Sequence, residues 1–439
     1  MRVRVKNLST SVRVFFGSNV VIQDSAFLYA SSLVTAGVGF IASLTVARSL
    51  GPTSFAIIAG YSAIVATLAG FTDFGLGTGL IKHTAPHLKG DESRVRAIKY
   101  FRLVFLAELV IGLVLLLVGL AFSSTIAGLL GQKELSTGVV RVAIVAAAVA
   151  STGAYVGAAM AAYKKFKLNA LLSISFSVVR LLATLALWKY GGLTVGNILG
   201  LYLMLTVLNV LVGFVILPKD YLAPSSTADL KRAGKKLFTF SAWLTLSFFM
   251  TSIMGKLDFF YLLGIKGATE AGVYAAAQQL AVVYTLLLGA IATVLTSHVS
   301  EKTNYIQKLA FLKRTLPISA VGAVVFVVSG ALAPEVIELL FGPKYAGAAM
   351  PLRLLAANLA INFILLPITL LFIPLGKVKV GTMVTAAQLL LSIVLYPFLI
   401  GLYGVIGAPL TLIACSLLAL IVYPIMLVYF LKKDRSANA

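Results

Sequence analysis

From about residue 25 to residue 431 the chain is a succession of apolar runs of some 20 residues, separated only by short polar loops. A run of that length matches the thickness of a bilayer's hydrocarbon core when wound as an α-helix. In hydrocarbon every backbone N–H and C=O must be satisfied within the protein, so only helices and closed barrels can span. Continuous runs of 20, rather than alternating segments of ten, choose the helix. Twelve spans are predicted, at roughly 25–47, 54–80, 101–122, 138–161, 168–188, 194–217, 237–260, 270–297, 315–334, 350–375, 380–400 and 404–431. Only 11% of residues are charged and the mean hydropathy is +1.01, which excludes a soluble domain. The expected fold class is an all-α polytopic membrane protein.

A formal charge of +22 would suit a nucleic-acid partner, but its distribution does not. When alternate loops are assigned to alternate sides, 26 of the 36 basic residues collect on one side. They include Arg2, Arg4 and Lys6 at one end and Lys432, Lys433 and Arg435 at the other. The opposite loops hold Arg48, Lys133, Lys189, Lys266 and Lys344. By the positive-inside rule both termini are expected in the cytoplasm, the protein in the plasma membrane, and the span count even. The basic side then implies contact with membrane lipids and no nucleic-acid partner. The basic N-terminus resembles a signal n-region, but the first run is long enough to span and lacks a cleavage site, so it reads as a retained helix. The single cysteine, Cys415, lies within a span and leaves the redox compartment unread.

The loop at 218–236 contains Pro218, Pro224, Ser225 and Ser226 and falls at the midpoint of the chain. It divides a basic N-terminus (1–24) and an N-lobe (25–217) from a C-lobe (237–431) and tail (432–439). The halves echo each other. GPTSFAIIA from Gly51 and GATEAGVYA from Gly267 align at an offset of 216, and LLGQK (129–133) corresponds to LLFGPK (339–344). In each half an arginine follows, Arg141 and Arg353. Six spans per half give both halves the same orientation, a parallel repeat about an axis along the membrane normal.

Charges inside spans cost about 2.5–3.5 kcal/mol each at mid-membrane, so they mark function by default. Arg180 lies near the centre of the fifth span, on one helical face with Ser173, Ser177 and Thr184. The seventh span repeats the pattern with Ser241, Thr245, Ser252 and Lys256, and Asp258 cannot share that face. Tyr274, Gln278 and Thr285 mark the eighth span, and Ser25, Ser32, Thr35 and Ser43 the first. Polar stripes on two helices of each half suggest a hydrophilic cleft between the halves; the competing reading is serine and threonine gluing helices together. Asp73 and Glu108 are candidates for binding a coupling H+ or Na+, or for neutralising Lys82, Arg102 or Arg180. Asn358 and Asn362 precede Pro367 and Pro374, which predict a kinked, hinge-like tenth span. GLGTG (75–79) follows no strand and is no dinucleotide fingerprint. His83, His87 and His298 lack the spacing of a metal site.

ARSLGPTSFA (47–56) followed by DFGLGTGLIKHTA (73–85) resembles the polysaccharide transporter branch of the multidrug/oligosaccharidyl-lipid/polysaccharide exporter superfamily. Arg48, Leu50, Gly51, Pro52 and Phe55 match the first family element, with Ala56 where glycine is common. Asp73, Gly75, Leu76, Gly77, Leu80 and Lys82 match the second. KLDFFYLLGIKGATEAGVYAAAQQL (256–280) and LLFGPKYAGAAMPLRLLA (339–356) resemble its second-half elements. The resemblance implies two six-helix lobes in a V, alternating access, and flipping of a lipid-linked oligosaccharide, with no enzymatic activity and no cofactor. A cleft with Arg180, and with Lys82, Arg48 or Lys256, would shelter the anionic polyprenyl-diphosphate head of such a cargo. Asp73 would hold Lys82 or help close a gate. The expected unit is a monomer. A cation-coupled drug exporter of the same superfamily is the first alternative, although such proteins use acidic residues and the deepest charge here is an arginine. A membrane polysaccharide polymerase or ligase is the second, and lacks the large external loop such enzymes carry.

Overall fold

The computed structural model describes residues 20–72, 75–84, 91–130, 135–222, 249–300, 305–377 and 379–437. The chain is all-helical, and no strand occurs among the described residues. Val20–Thr72 is one helical stretch folded at Gly51, whose φ of 76° and ψ of 175° break the helix into α1 (20–50) and α2 (52–72). Pro52 opens α2, where its missing N–H is not needed. The first half continues with α3 (Leu76–Thr84), α4 (Asp91–Ala121), α5 (Ser123–Leu129), α6 (Thr137–Ala162), α7 (Phe166–Lys189) and α8 (Val195–Ile216). The second half comprises α9 (249–266), α10 (Ala268–Ser300), α11 (Tyr305–Ala331), α12 (Ala333–Phe341), α13 (Ala349–Leu370), α14 (Lys379–Tyr403) and α15 (Gly407–Ala437). Helices α3, α5 and α12 are too short to span, and the twelve other helices among the described residues are consistent with the twelve passes expected.

The internal repeat is visible in three dimensions. Gly51 and Gly267 hold the same corner, with φ of 76° and 87°. Thr53 and Thr269, equivalent at the 216-residue offset, hydrogen-bond to each other at 2.9 Å. Equivalent residues that touch must lie on the axis relating the halves. The short helices α5 and α12 also correspond, and each half's arginine bonds close to the start of its short helix, at the first residue of α5 and at the end of α11 just before α12. Arg141 donates to Ser123 Oγ at 3.2 Å, and Arg353 to the carbonyl of Ala331 at 3.4 Å.

Some boundaries differ from the hydropathy reading. The second span was expected to run from 54 to 80, but α2 ends at Thr72 and Gly75, with φ of 64°, precedes the separate helix α3. A left-handed residue cannot continue a helix, whatever the hydropathy around it. The first helix begins at Val20 and the last extends to Ala437, through the expected tail. The bilayer limits the apolar run, not the hydrogen-bonded helix, and lysine and arginine are good helix formers. In the tenth span α13 continues three residues past Pro367 to Leu370, and Pro374 falls in the turns that follow. Most of the expected linker, and Ser241 and Thr245, lie outside the described residues.

On α4, Val110, Leu113, Val114 and Leu117 form an exposed apolar stripe at helical spacing, the lipid-facing side. Its opposite face approaches α6 through Gly112 and Gly119. A Cβ there would meet Ser151 Oγ at 2.9 Å and Ile144 Cγ2 at 2.7 Å. Around Gly51 the two lobes share one apolar core that includes Phe55, Phe259, Tyr274 and Tyr345. Toward the other face each lobe has its own core, one around Phe101 and Tyr155, the other around Phe311 and Phe372. The molecule is therefore joined broadly at the Gly51 face and divides toward the opposite one.

Candidate functional site: a cationic cavity between the lobes

The two lobes enclose a cavity of about 970 Å³. Its wall comes from α1, α2, α7 and α8 of the N-lobe and α9, α10, α13 and α15 of the C-lobe. It carries Arg180 and Lys256, several serines and threonines, Asn169, Tyr202, Gln278, Gln279 and Asn358, and no carboxylate among the described residues that line it.

Arg180 reaches the cavity from α7. Its Cζ lies 5.6 Å from the centroid of the Tyr202 ring on α8, a cation–π contact. Its Nε and the neighbouring Thr35 Oγ1 have no hydrogen-bond partner among the described residues. A shielded donor left open costs about 1–3 kcal/mol. The rest of its stripe is spent differently. Ser173 lines the cavity and donates to Asn169 O at 3.1 Å. Ser177 is buried and donates to the carbonyl of Thr35 on α1 at 3.0 Å. Thr184, fully buried, bonds back to Arg180 O at 2.8 Å.

In the C-lobe, Lys256 faces the cavity from α9. Asp258, two residues on, is buried and turned toward α10. There one oxygen accepts from Tyr274 Oη at 2.7 Å and Gln278 Nε2 at 2.6 Å, and the other from the Phe259 N–H at 2.7 Å. A second network joins α13 to α15. Ser416 donates to Asn358 Oδ1 at 2.7 Å, and Asn362 Nδ2 to Ser416 Oγ at 3.1 Å and to Asn358 O at 2.9 Å.

Other predicted residues lie elsewhere. Arg48 is not part of the cavity wall; on the Gly51 face it donates to Leu339 O of α12 at 3.0 Å. That carbonyl belongs to the last turn of a helix, where cations are favoured. Lys82 is exposed on α3, away from the cavity wall, and Glu108 is buried in α4 within the N-lobe. Asp73 lies outside the described residues. Among those residues no cluster of metal-binding side chains occurs. Tyr202, Asn169, Ser62 and Gln279 line the cavity without having been singled out from the sequence. A polar side chain in an otherwise apolar span was the available signal for each.

The lobes touch above and below the cavity. On the Gly51 face Tyr345 donates to Ala47 O at 2.9 Å, and Phe40 meets Phe341 edge-on at 6.2 Å. A Cβ on Gly272 would fall 1.9 Å from the carbonyl oxygen of Pro52, so the lobes meet there backbone to backbone. Toward the other face Tyr29 donates to Gly289 O at 2.8 Å and pairs with Thr293, while the Phe71 and Phe249 rings lie 4.7 Å apart.

A family profile described as polysaccharide biosynthesis protein matches residues 21–296. An uncharacterized membrane protein of Methanocaldococcus jannaschii is 23% identical over 418 residues, covering 90% of this chain and 95% of that protein. Among solved structures, the chain is similar to the inward-facing conformation of a multidrug resistance MATE family transporter of the MOP superfamily. The TM-score is 0.72 at 15% identity, over 92% of this chain and 96% of that one. It is also similar to the lipid II flippase MurJ in an inward closed conformation, with TM-score 0.70 at 14% identity, over 93% of this chain and 89% of that one.

Proposed function

The chain belongs to the polysaccharide biosynthesis protein family, and on that footing we propose that it carries a polyprenyl-diphosphate-linked oligosaccharide from the cytoplasmic to the outer leaflet. It is a multi-pass membrane transporter of the flippase class. The observation that carries the finer reading is the charge of the cavity: one cation from each lobe and no carboxylate among its described lining residues. A diphosphate head is too strongly hydrated to cross hydrocarbon unaided. Arg180 and Lys256 offer it charge-assisted hydrogen bonds, and the serines, Asn169 and the glutamines suit a glycan. The prenyl tail stays in lipid.

Alternating access follows from the arrangement of contacts. With both termini in the cytoplasm of a plasma-membrane protein, the Gly51 face is external, and its broad apolar core holds the lobes together there. This agrees with the likeness to an inward-facing MATE family transporter and to an inward closed MurJ. Outward opening would break the Tyr345–Ala47 and Arg48–Leu339 bonds, while inward opening would part the Tyr29–Gly289 and Phe71–Phe249 contacts on the other side. An H+ or Na+ gradient is the proposed energy source. Glu108 and Asp258 are the fully buried carboxylates available among the described residues. The proposed partners are the glycolipid and the surrounding lipids, and the proposed unit is a monomer.

The test is translocation of a fluorescent polyprenyl-diphosphate oligosaccharide in proteoliposomes, for wild type and Arg180→Ala, with a hydrophobic cationic dye in parallel. Flipping that falls at least about tenfold in a folded Arg180→Ala is the expected result. Dye movement without glycolipid movement would turn the assignment to a drug exporter.

A further inference from the structure

Arg180 can occupy its place only because residue 39 has no side chain. A Cβ built on Gly39 of α1 would lie 2.3 Å from Arg180 Nη2 and 3.6 Å from Cζ. Gly39 is buried inside α1 with ordinary helical φ, so glycine supplies space there rather than conformational freedom. Glycine is otherwise a poor choice for a helix interior. Gly37, two residues earlier on the same helix, has nothing within 4 Å of where its Cβ would be. The Tyr202 ring flanks the same guanidinium.

We infer that Gly39 and Tyr202 form a slot that positions the Arg180 guanidinium for an anionic headgroup. Gly39 is thus a positioning residue for the cargo, an inference that rests on the reading of Arg180 as its anion site. The atom that a Cβ at 39 would strike is the free end of a flexible side chain. Alanine at 39 is therefore accommodated by moving the charge, not by parting the helices, and its effect falls on binding rather than on folding.

Binding of geranyl diphosphate to the full chain in detergent, by titration calorimetry, tests this, with melting temperatures recorded for every variant. Arg180→Ala is expected to weaken binding about tenfold or more. Gly39→Ala should weaken it several-fold with an unchanged melting temperature. The double variant should bind no worse than Arg180→Ala alone, because both changes remove one interaction. Gly37→Ala should bind like wild type. Wild-type binding by Gly39→Ala beside a weakened Arg180→Ala would overturn the slot and leave the anion site standing. Wild-type binding by Arg180→Ala would overturn both. Equal losses in the two glycine variants would assign the effect to α1 itself and also overturn the slot. If Gly39→Ala is not recovered folded, Tyr202 takes its place: the slot requires loss with Tyr202→Leu and retention with Tyr202→Phe, and equal behaviour of the two refutes it.

Discussion

The two lobes echo each other in sequence and at the Thr53–Thr269 contact, yet they spend their membrane-embedded polar groups differently. In the N-lobe, Arg180 Nε and Thr35 Oγ1 are without hydrogen-bond partners among the described residues, and the guanidinium rests on a tyrosine face. In the C-lobe, Asp258, Tyr274 and Gln278 satisfy one another, as do Asn358, Asn362 and Ser416. The repeat offset places Ala42 and Ile58 where the C-lobe has Asp258 and Tyr274, so the carboxylate network belongs to one lobe alone. A buried polar group that is fully paired stabilises a particular packing, whereas one left open is available to a ligand. The C-lobe supplies an internally braced wall that carries Lys256, and the N-lobe a guanidinium left open at Nε.

That contrast can be broken by experiment. Asp258→Ala strands three donors in a buried site, and should cost about 3 kcal/mol of stability, seen as a clear drop in melting temperature in detergent. A variant that melts like wild type would mean that the network braces nothing. Ser416→Ala removes the bridge between Asn358 and Asn362 and should cost about 1 kcal/mol, since hydrogen bonds between membrane helices are individually modest. Arg180→Ala should leave the melting temperature within a degree or two, or raise it slightly, because an unpaired charge is removed. If it destabilised the protein as much as Asp258→Ala, the arginine would be a structural member of the N-lobe and the contrast would collapse.

Much of the architecture could be read before any coordinate. Hydrocarbon admits few solutions, so run length and polarity led directly to twelve helices, and GPTSFAIIA against GATEAGVYA led to the two halves. The Thr53–Thr269 contact shows how literal that alignment is. The break at Gly75 was harder to see, because hydropathy does not register a backbone dihedral. The cavity was legible only in part. Arg180, Ser173, Lys256, Gln278 and Asn358 line it, while Ser177 and Arg48 are engaged in bonds between helices.

Sequence alone determined what the solvent dictates: helices rather than strands, their number, the duplicated lobes and the family motifs, because a bilayer penalises every unsatisfied backbone group and every stray charge. Tertiary structure alone decided which polar side chain faces what. Ser177 and Arg180 share a helical face and Lys256 and Asp258 stand two residues apart, yet one of each pair lines the cavity and the other is bound within the protein. Helical periodicity gives the direction in which a side chain leaves its own helix. Whether it meets a carbonyl, a tyrosine or open space depends on neighbours distant in sequence, as Gly39 is from Arg180.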